Sequence, residues 1–130
     1  MELADNSSFL TEQTMNNPFS FQLIFEKNGD GTVSTHFKGD YKHEGYEGLM
    51  HGGILSTLLD TAMAHCLLIK GIEAMTGELN VRFISPVTSN STLKIKAWVV
   101  SSLPPLYHLK SQIEVAGSLV CKAKAKFMEK

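Results

Sequence analysis

The stretch EGYEGLMHGGILSTLLDTAMAHCLLIKG, residues 44–71, decides the fold of this 130-residue chain. From Gly52 to about Ile69 it is apolar enough to form the buried centre of a small protein, and it contains one carboxylate, Asp60. Its apolar residues recur at helical spacing, and Gly71 is a typical residue to end a helix. The sequence therefore predicts one long buried helix.

Two β-prone runs precede this helix. Phe19–Lys27 and Thr32–Lys38 flank the sequence Asn-Gly-Asp-Gly at residues 28–31. These turn residues tolerate positive φ angles, so the pattern predicts a β-hairpin. A calcium-binding loop is a poor alternative, because no acidic residue stands at its closing position. Residues 40–50 contain three glycines and no apolar periodicity, which predicts a loop.

After the helix the apolar period changes from helical to two. The alternation predicts four strands: Met75–Ser85, Thr92–Ser101, Tyr107–Ala116 and Leu119–Met128. Short connections favour antiparallel neighbours. The order predicts a single α+β domain in which an antiparallel sheet covers one apolar helix, with residues 1–17 as a lead-in.

Composition restricts the class of protein. Twelve Lys and Arg stand against 13 Asp and Glu, a net charge of −1, so nothing in it predicts a nucleic acid or an anionic membrane as a partner. Asp60 and His65 inside the helix argue against a membrane span. The first 20 residues lack the order of a secretory signal, and Cys66 and Cys121 are predicted to be small buried apolar residues. We expect a soluble cytoplasmic protein.

On a helical wheel the small residues form one stripe around the acid. The stripe contains Gly53, Ser56, Thr57, Asp60 and Ala64. The opposite side carries Ile54, Leu55, Leu58, Leu59, Ala62 and Cys66, with His65 as a core histidine. A solvent-facing acid is the ordinary explanation of Asp60, but Lys and Glu would then be expected around it. A carboxylate among small residues, desolvated by a closely approaching element, is typical of a functional site.

The glycines that open the helix require a separate account. Gly52 and Gly53 leave backbone N–H groups uncovered at the positive end of the helix dipole, where a carbonyl oxygen or an oxyanion can bind. Alternatively, they only make room for a sharp turn. Eight residues at 1.5 Å rise place Gly52 about 12 Å from Asp60, too far for both to act on one carbonyl. Two helices packed antiparallel would bring the two together, which predicts a C2 homodimer if both are catalytic.

The run EGYEGLMHGGILSTLLDTAMA, followed by TGELNVRFISPV, resembles the PaaI-like hotdog-fold acyl-CoA thioesterases. Shared features are a Gly-containing loop, His-Gly-Gly, an acid nine residues after the His, and a hydroxyl residue before a strand that ends in Pro. The resemblance extends from about Asp40 to Met128 and implies one hotdog domain over residues 1–130. Many members carry Asn where this chain has Gly45, and a subset carries a Glu-Gly-x-x-Gly loop, as residues 44–48 do here.

By this resemblance, His51 and Gly52 open the helix and the Gly52 N–H polarises the thioester carbonyl. Asp60 of the facing subunit is the nucleophile or the general base, Thr76 positions the water or the acid, and Gly53 binds substrate. The resemblance implies an acyl-CoA substrate, no cofactor and a homodimer, and leaves a tetramer open. His43 and Glu44 lie near the missing Asn without an assigned role.

Other candidate sites carry less weight. Arg82, the only arginine, is a candidate for a CoA phosphate, although a surface charge is the simpler interpretation. His51, Asp60 and His65 do not have metal-ligand spacing, and no nucleophile-elbow sequence supports a Ser-His-Asp triad. The rival functions are a non-catalytic acyl-CoA or acyl-carrier sensor and a hotdog dehydratase or hydratase.

Overall fold

The computed structural model of the protein describes residues 23–130. The predicted lead-in, residues 1–17, and the start of the first predicted strand lie outside them. The elements, in chain order, are β1 Glu26–Lys27, β2 Val33–Lys38, a 3-10 turn Tyr41–His43, α1 Gly52–Leu68, β3 Ala74–Phe83, β4 Thr92–Leu103, β5 Leu106–Val115 and β6 Ser118–Glu129. The helix and the four later strands are therefore confirmed to within about two residues at each end.

One six-stranded antiparallel sheet has the order β1-β2-β4-β5-β6-β3. It curves around α1, which contacts β3, β4, β5 and β6, and this is the hotdog arrangement that the sequence analysis expected. No helix in the described part of the chain is long and apolar enough to cross a membrane. The predicted hairpin is confirmed: β1 pairs with β2, and the Asn28 N–H donates to the Thr32 carbonyl at 2.8 Å.

The expectation that neighbouring strands in sequence would pair fails at β3. This strand pairs with β6 at the edge of the sheet, although the connection to β4 is only eight residues long. The physical reason is that this connection binds the loop before the helix. The Met50 N–H donates to the Val87 carbonyl at 2.7 Å, and the Ser89 N–H donates to the Gly48 carbonyl at 3.0 Å. Residues 84–91 thus pair with the loop before α1 instead of forming a tight turn.

The core lies between α1 and the sheet, as the helical wheel predicted. The apolar side of α1 is buried, with Leu58 and Leu59 fully inaccessible, and truncating such side chains to Ala typically costs about 2–5 kcal/mol. Cys66 and Cys121 are both buried free thiols. Burial raises the pKa of Cys66, and it raises the pKa of Cys121 to about 12.

His65 is a core residue, as predicted. Its ring is fully buried and stacks on Phe25 with a centroid distance of 4.2 Å. Burial lowers its pKa to about 4, so His65 is neutral at physiological pH. No group of three or more His, Cys, Asp or Glu side chains within residues 23–130 is arranged to hold a metal ion.

Candidate active site

The acid of the helix has one hydrogen-bond partner among residues 23–130, and it lies on β3. The Thr76 hydroxyl donates to Oδ1 of Asp60 at 2.7 Å. Asp60 lies on the partly exposed stripe of α1, and Thr76 stands on the face of β3 that is turned toward the helix. Burial raises the pKa of Asp60, and the Thr76 hydrogen bond opposes this by stabilising the carboxylate. The two residues that the resemblance selected are thus in direct contact.

The start of α1 is held by a histidine cap. His51 is the N-cap residue, and its Nδ1 accepts a hydrogen bond from the Gly53 N–H at 2.7 Å. Nδ1 therefore carries no proton in this arrangement. A Cβ on Gly53 would lie 3.0 Å from two atoms of the His51 ring. Gly53 is required here by the cap, and its N–H is already used by His51.

Gly52 differs from Gly53 in having an available donor. As the first helical residue it has no intrahelical acceptor, and its N–H makes no hydrogen bond to any other described residue. The ring of Phe83 borders this position, because a Cβ on Gly52 would lie 3.5 Å from Phe83 Cζ. An uncovered N–H at a helix N-terminus beside an aromatic wall suits a polarised carbonyl oxygen.

The presence of glycine at position 45 also has a steric explanation. A Cβ at this position would lie 3.3 Å from the His51 Cα and 3.4 Å from its Cδ2, which is tighter than most real contacts. The loop therefore passes directly over His51. The Asn that many PaaI-like proteins carry at this position would press on the cap unless the loop moved.

Glu44 is part of this loop and has a partner that the sequence did not indicate. Its carboxylate accepts a hydrogen bond from the Ser89 hydroxyl at 2.7 Å, across 45 positions of sequence. Glu44 also forms an isolated antiparallel bridge with Met50. The His43 carbonyl accepts from the His51 N–H at 2.7 Å. Both residues without an assigned role therefore hold the loop against the start of the helix.

The candidate residues do not form one complete site in one chain. Gly52 and Asp60 lie on the same helix, α1, so the separation of about 12 Å along the axis that the sequence analysis estimated remains. Arg82 stands on the face of β3 opposite to Thr76, beside Lys122 of β6. The structure therefore joins Asp60 to Thr76 and His51 to Gly53, and it leaves Arg82 apart from both pairs.

The edge strand β3 borders the candidate site and is open along its length. Eight of its ten residues are exposed, including Leu79 at 37% and Phe83 at 53%. A ten-residue edge with apolar side chains is a surface that natural proteins usually cover. The surface left open by one chain thus includes Thr76, the hydroxyl that contacts the acid.

The central part of the chain matches the family model described as the thioesterase superfamily, over residues 47–102. This region includes the His51 cap, the whole of α1 with Asp60, and β3 with Thr76. Over this region the chain is similar to the thioesterase superfamily. Its hotdog fold is shared with zebrafish thioesterase superfamily member 2, at a TM-score of 0.85 and 14% identity over 99% of both chains.

The sequence is also similar to two mammalian proteins named acyl-coenzyme A thioesterase THEM4. The bovine protein is 33% identical over 75 residues, covering 58% of this chain and 30% of its own. The mouse protein is 29% identical over 79 residues, covering 61% and 34%. The chain thus spans about a third of the length of these relatives.

One similar solved structure contains coenzyme A. A hypothetical thioesterase of Streptococcus pneumoniae TIGR4, crystallised with coenzyme A, has a TM-score of 0.77 and 25% identity to this chain. The alignment covers 83% of this chain and 85% of the streptococcal one.

Proposed function

We propose that the protein is an acyl-CoA thioesterase that hydrolyses an acyl-CoA to a free acid and CoA. The observation that carries the proposal is the 2.7 Å hydrogen bond from Thr76 to Asp60, which orients a partly desolvated carboxylate on the open side of α1. The names of the THEM4 relatives and the coenzyme A in the streptococcal structure support the same substrate class. Substitutions of an Asp and a Thr in that streptococcal protein lie sixteen positions apart, the separation of Asp60 and Thr76.

The chemistry uses the carboxylate in one of two ways. As a general base, Asp60 takes a proton from water, the water oxygen attacks the thioester carbon, and the C–S bond breaks as the thiolate of CoA leaves. As a nucleophile, Asp60 attacks the thioester carbon, the C–S bond breaks as the thiolate of CoA leaves, and water then hydrolyses the resulting mixed anhydride to the free acid and the Asp60 carboxylate. A raised pKa strengthens the carboxylate as a base at neutral pH, and the Gly52 N–H stabilises the oxyanion in either route.

The complete site is proposed to form between two chains. Pairing of β3 with β3 of a second copy would cover the backbone of the exposed edge strand and the side chains Leu79 and Phe83 on its helix face. It would also bring the small-residue stripes of the two helices together, so that Gly52 of one chain faces Asp60 of the other. The dimer has two equivalent sites by symmetry. Leu79 and Phe83 then line the space beside the thioester.

The direct test is Asp60→Asn assayed for thiol release from acyl-CoA. Asn is isosteric and still accepts the Thr76 hydrogen bond, so the fold and the dimer are expected to remain. We expect turnover to fall about 100-fold or more. Unchanged turnover in a folded dimer would contradict the role of Asp60.

A mixing experiment tests whether the site is shared. Gly52→Pro removes the N–H at the first helical position, where Pro is well tolerated, and the extended backbone of His51 suits a residue before Pro. Asp60→Asn alone and Gly52→Pro alone are each expected to be nearly inactive. Unfolded and refolded together in equal amounts, the two chains form heterodimers with one intact site, so activity returns to about a quarter of wild type. No recovery from well-formed heterodimers would contradict a shared site.

The same assay distinguishes hydrolysis from sensing. A panel of acyl-CoAs that differ in chain length and aromatic content is scored for thiol release and, separately, for thermal stabilisation of the protein. Release identifies the preferred acyl group. Stabilisation by acyl-CoA without release by the wild-type protein would favour the non-catalytic sensor.

A further inference from the structure

The face of the sheet turned away from α1 is strongly basic. Three adjacent cross-strand rows on this face follow from the strand register: Arg82–Lys122–Gln112–Lys96, Asn80–Lys124–Lys110–Trp98 and Glu78–Lys126–His108–Ser101. We call this surface the basic face, defined by the cations Arg82, Lys96, Lys110, Lys122, Lys124 and Lys126. Five of these six side chains are exposed, and Lys96 is half-buried.

The charges of the chain are separated in space, although they nearly cancel in the sequence. The basic face contains half of the 12 cations of the chain, and Glu78 is the one carboxylate within its three rows. The row of Arg82 continues through Ser34 to Glu26 of β1, and Glu114 pairs with Lys94 in the next row. Glu78 forms an ion pair with Lys126 at 3.4 Å, and Lys96 contributes, after the Thr32 hydrogen bonds, to the lowered pKa of Asp30. The other four cations of this face form no ion pair with a described residue. The net charge of −1 therefore does not describe how the charges are distributed over the surface. An extended cationic surface attracts an anionic one at short range.

Exposed apolar side chains lie at one end of the same face. Leu103, at the β4–β5 turn, is 73% exposed, and Met75 and Met128, which pair across β3 and β6, are 62% and 47% exposed. Val100, at the bulge of β4, is 52% exposed. The row of Met75 and Met128 lies next to the row that contains Glu78, Lys126 and His108. A nucleic acid backbone would bind the cations but would offer no apolar environment for the exposed Leu, Met and Val side chains.

The middle of the face contains an aromatic anchor. Trp98 is half-buried and lines an open groove of about 500 Å³ with Arg82, Lys110 and Lys122. Trp is favoured where one end of a side chain contacts an apolar phase and the other contacts water. Cations, a Trp and a rim of exposed Leu and Met on one surface form the combination that interfacial binding requires.

We propose that the basic face docks the protein on an anionic lipid bilayer, with Leu103 and its apolar neighbours entering the headgroup region. The cations supply attraction to anionic headgroups, and the apolar end supplies insertion. Asp60 and Thr76 lie on the other side of the sheet, so docking leaves the candidate active site open. The docking is independent of catalysis and does not require the proposed function to be correct.

The test measures sedimentation of the protein with vesicles of two parts phosphatidylcholine to one part phosphatidylglycerol, and with vesicles of phosphatidylcholine alone. We expect binding to the anionic vesicles at low salt and its loss as the salt concentration rises toward about 0.5 M. Lys122→Gln, Lys124→Gln and Lys126→Gln combined are expected to weaken binding about 100-fold, since each cation near the surface contributes roughly fivefold. Leu103→Gln is expected to weaken it about tenfold.

A matched control removes the same number of positive charges from surfaces outside the basic face. Lys27, Lys42 and Lys70 are exposed outside the basic face, and their combined replacement by Gln is expected to leave vesicle binding within about twofold of wild type. Equal weakening by both triple variants would overturn the proposal, because it would then reflect net charge alone. Absence of wild-type binding at low salt would also overturn it. So would a loss of binding that accompanies a changed oligomeric state in light scattering.

Discussion

The Thr76 hydroxyl donates a hydrogen bond of 2.7 Å to the Asp60 carboxylate, joining the edge strand of the sheet to the exposed side of the central helix. This contact changes the meaning of an acid in an apolar helix. The carboxylate is neither solvated on a free surface nor neutralised by a cation. It is partly desolvated and held in one orientation by a neutral donor, so it keeps its reactivity as a base.

Thr76→Val removes the hydroxyl and preserves the shape of the side chain. The hydrogen bond stabilises the ionised form of Asp60, so its loss raises the pKa of Asp60 further. We expect the acidic limb of the pH profile of kcat/KM to move to higher pH, with activity lowered about tenfold or more at neutral pH. Thr76→Ser retains the donor and should keep the wild-type profile. An acidic limb that stays in place in Thr76→Val would contradict this role.

Asp60→Asn should stabilise the fold while it removes activity. Because burial raises the folded-state pKa of Asp60 above its unfolded value, the charged form destabilises the native state above that pKa. We expect Tm to rise by about 2–5 °C at neutral pH, with the gain vanishing as the pH falls toward about 4. Calorimetry at several pH values measures this.

Asp30 provides a control, because its pKa is lowered whereas that of Asp60 is raised. It also accepts a hydrogen bond from a threonine, Thr32, but it is fully exposed and this bond lowers its pKa. Asp30→Asn is therefore expected not to raise Tm at neutral pH. Equal stabilisation by the two substitutions would show that desolvation of Asp60 is not the cause.

Gly53→Ala and Gly52→Ala should separate the two glycines. A Cβ at position 53 lies 3.0 Å from the His51 ring, whereas at position 52 it makes an ordinary contact of 3.5 Å with Phe83. We expect Gly53→Ala to displace the cap and lower stability by about 1 kcal/mol, and Gly52→Ala to leave stability nearly unchanged. Urea unfolding of both variants measures the difference. Equal stability of the two would mean that His51 moves away without cost.

His65 should make stability depend on pH in a definite window. Its folded pKa is about 4, below the usual value of 6.5, so the unfolded chain binds a proton that the native protein does not. The free energy of unfolding should therefore fall between pH 6.5 and 4, by roughly 3 kcal/mol from this group. His65→Leu should show a smaller fall over the same window. Identical pH dependence of the two proteins would contradict the neutral buried histidine.

Local patterns were sufficient for the elements and for part of the candidate site. Each of α1, β4, β5 and β6 has one buried face, so its apolar residues repeat with the period of a helix or a strand. A short stretch of neighbouring residues is enough to show that period. The stripe around Asp60 and the burial of His65 followed from the same rule. The resemblance added Thr76, whose contact with Asp60 the structure confirms.

Long-range relationships could not be obtained in that way. The Glu44–Ser89 hydrogen bond joins two loops 45 positions apart, and no periodicity links them. The position of β3 beside β6 depends on where residues 84–91 find backbone partners, which a connection length does not specify. The basic face could not be predicted either. Its cations come from four strands, and only the strand order and register show that they lie together.

The sequence by itself determined one apolar helix, an antiparallel sheet around it and an acid on the helix side that small residues leave open. Each of these is a consequence of spacing along one segment, where backbone geometry fixes which side chains share a face. Only the tertiary structure decided which hydroxyl contacts Asp60, which strand remains an open edge and where the cations gather. Those depend on strand order and register, which are set by contacts between segments that are distant in the chain.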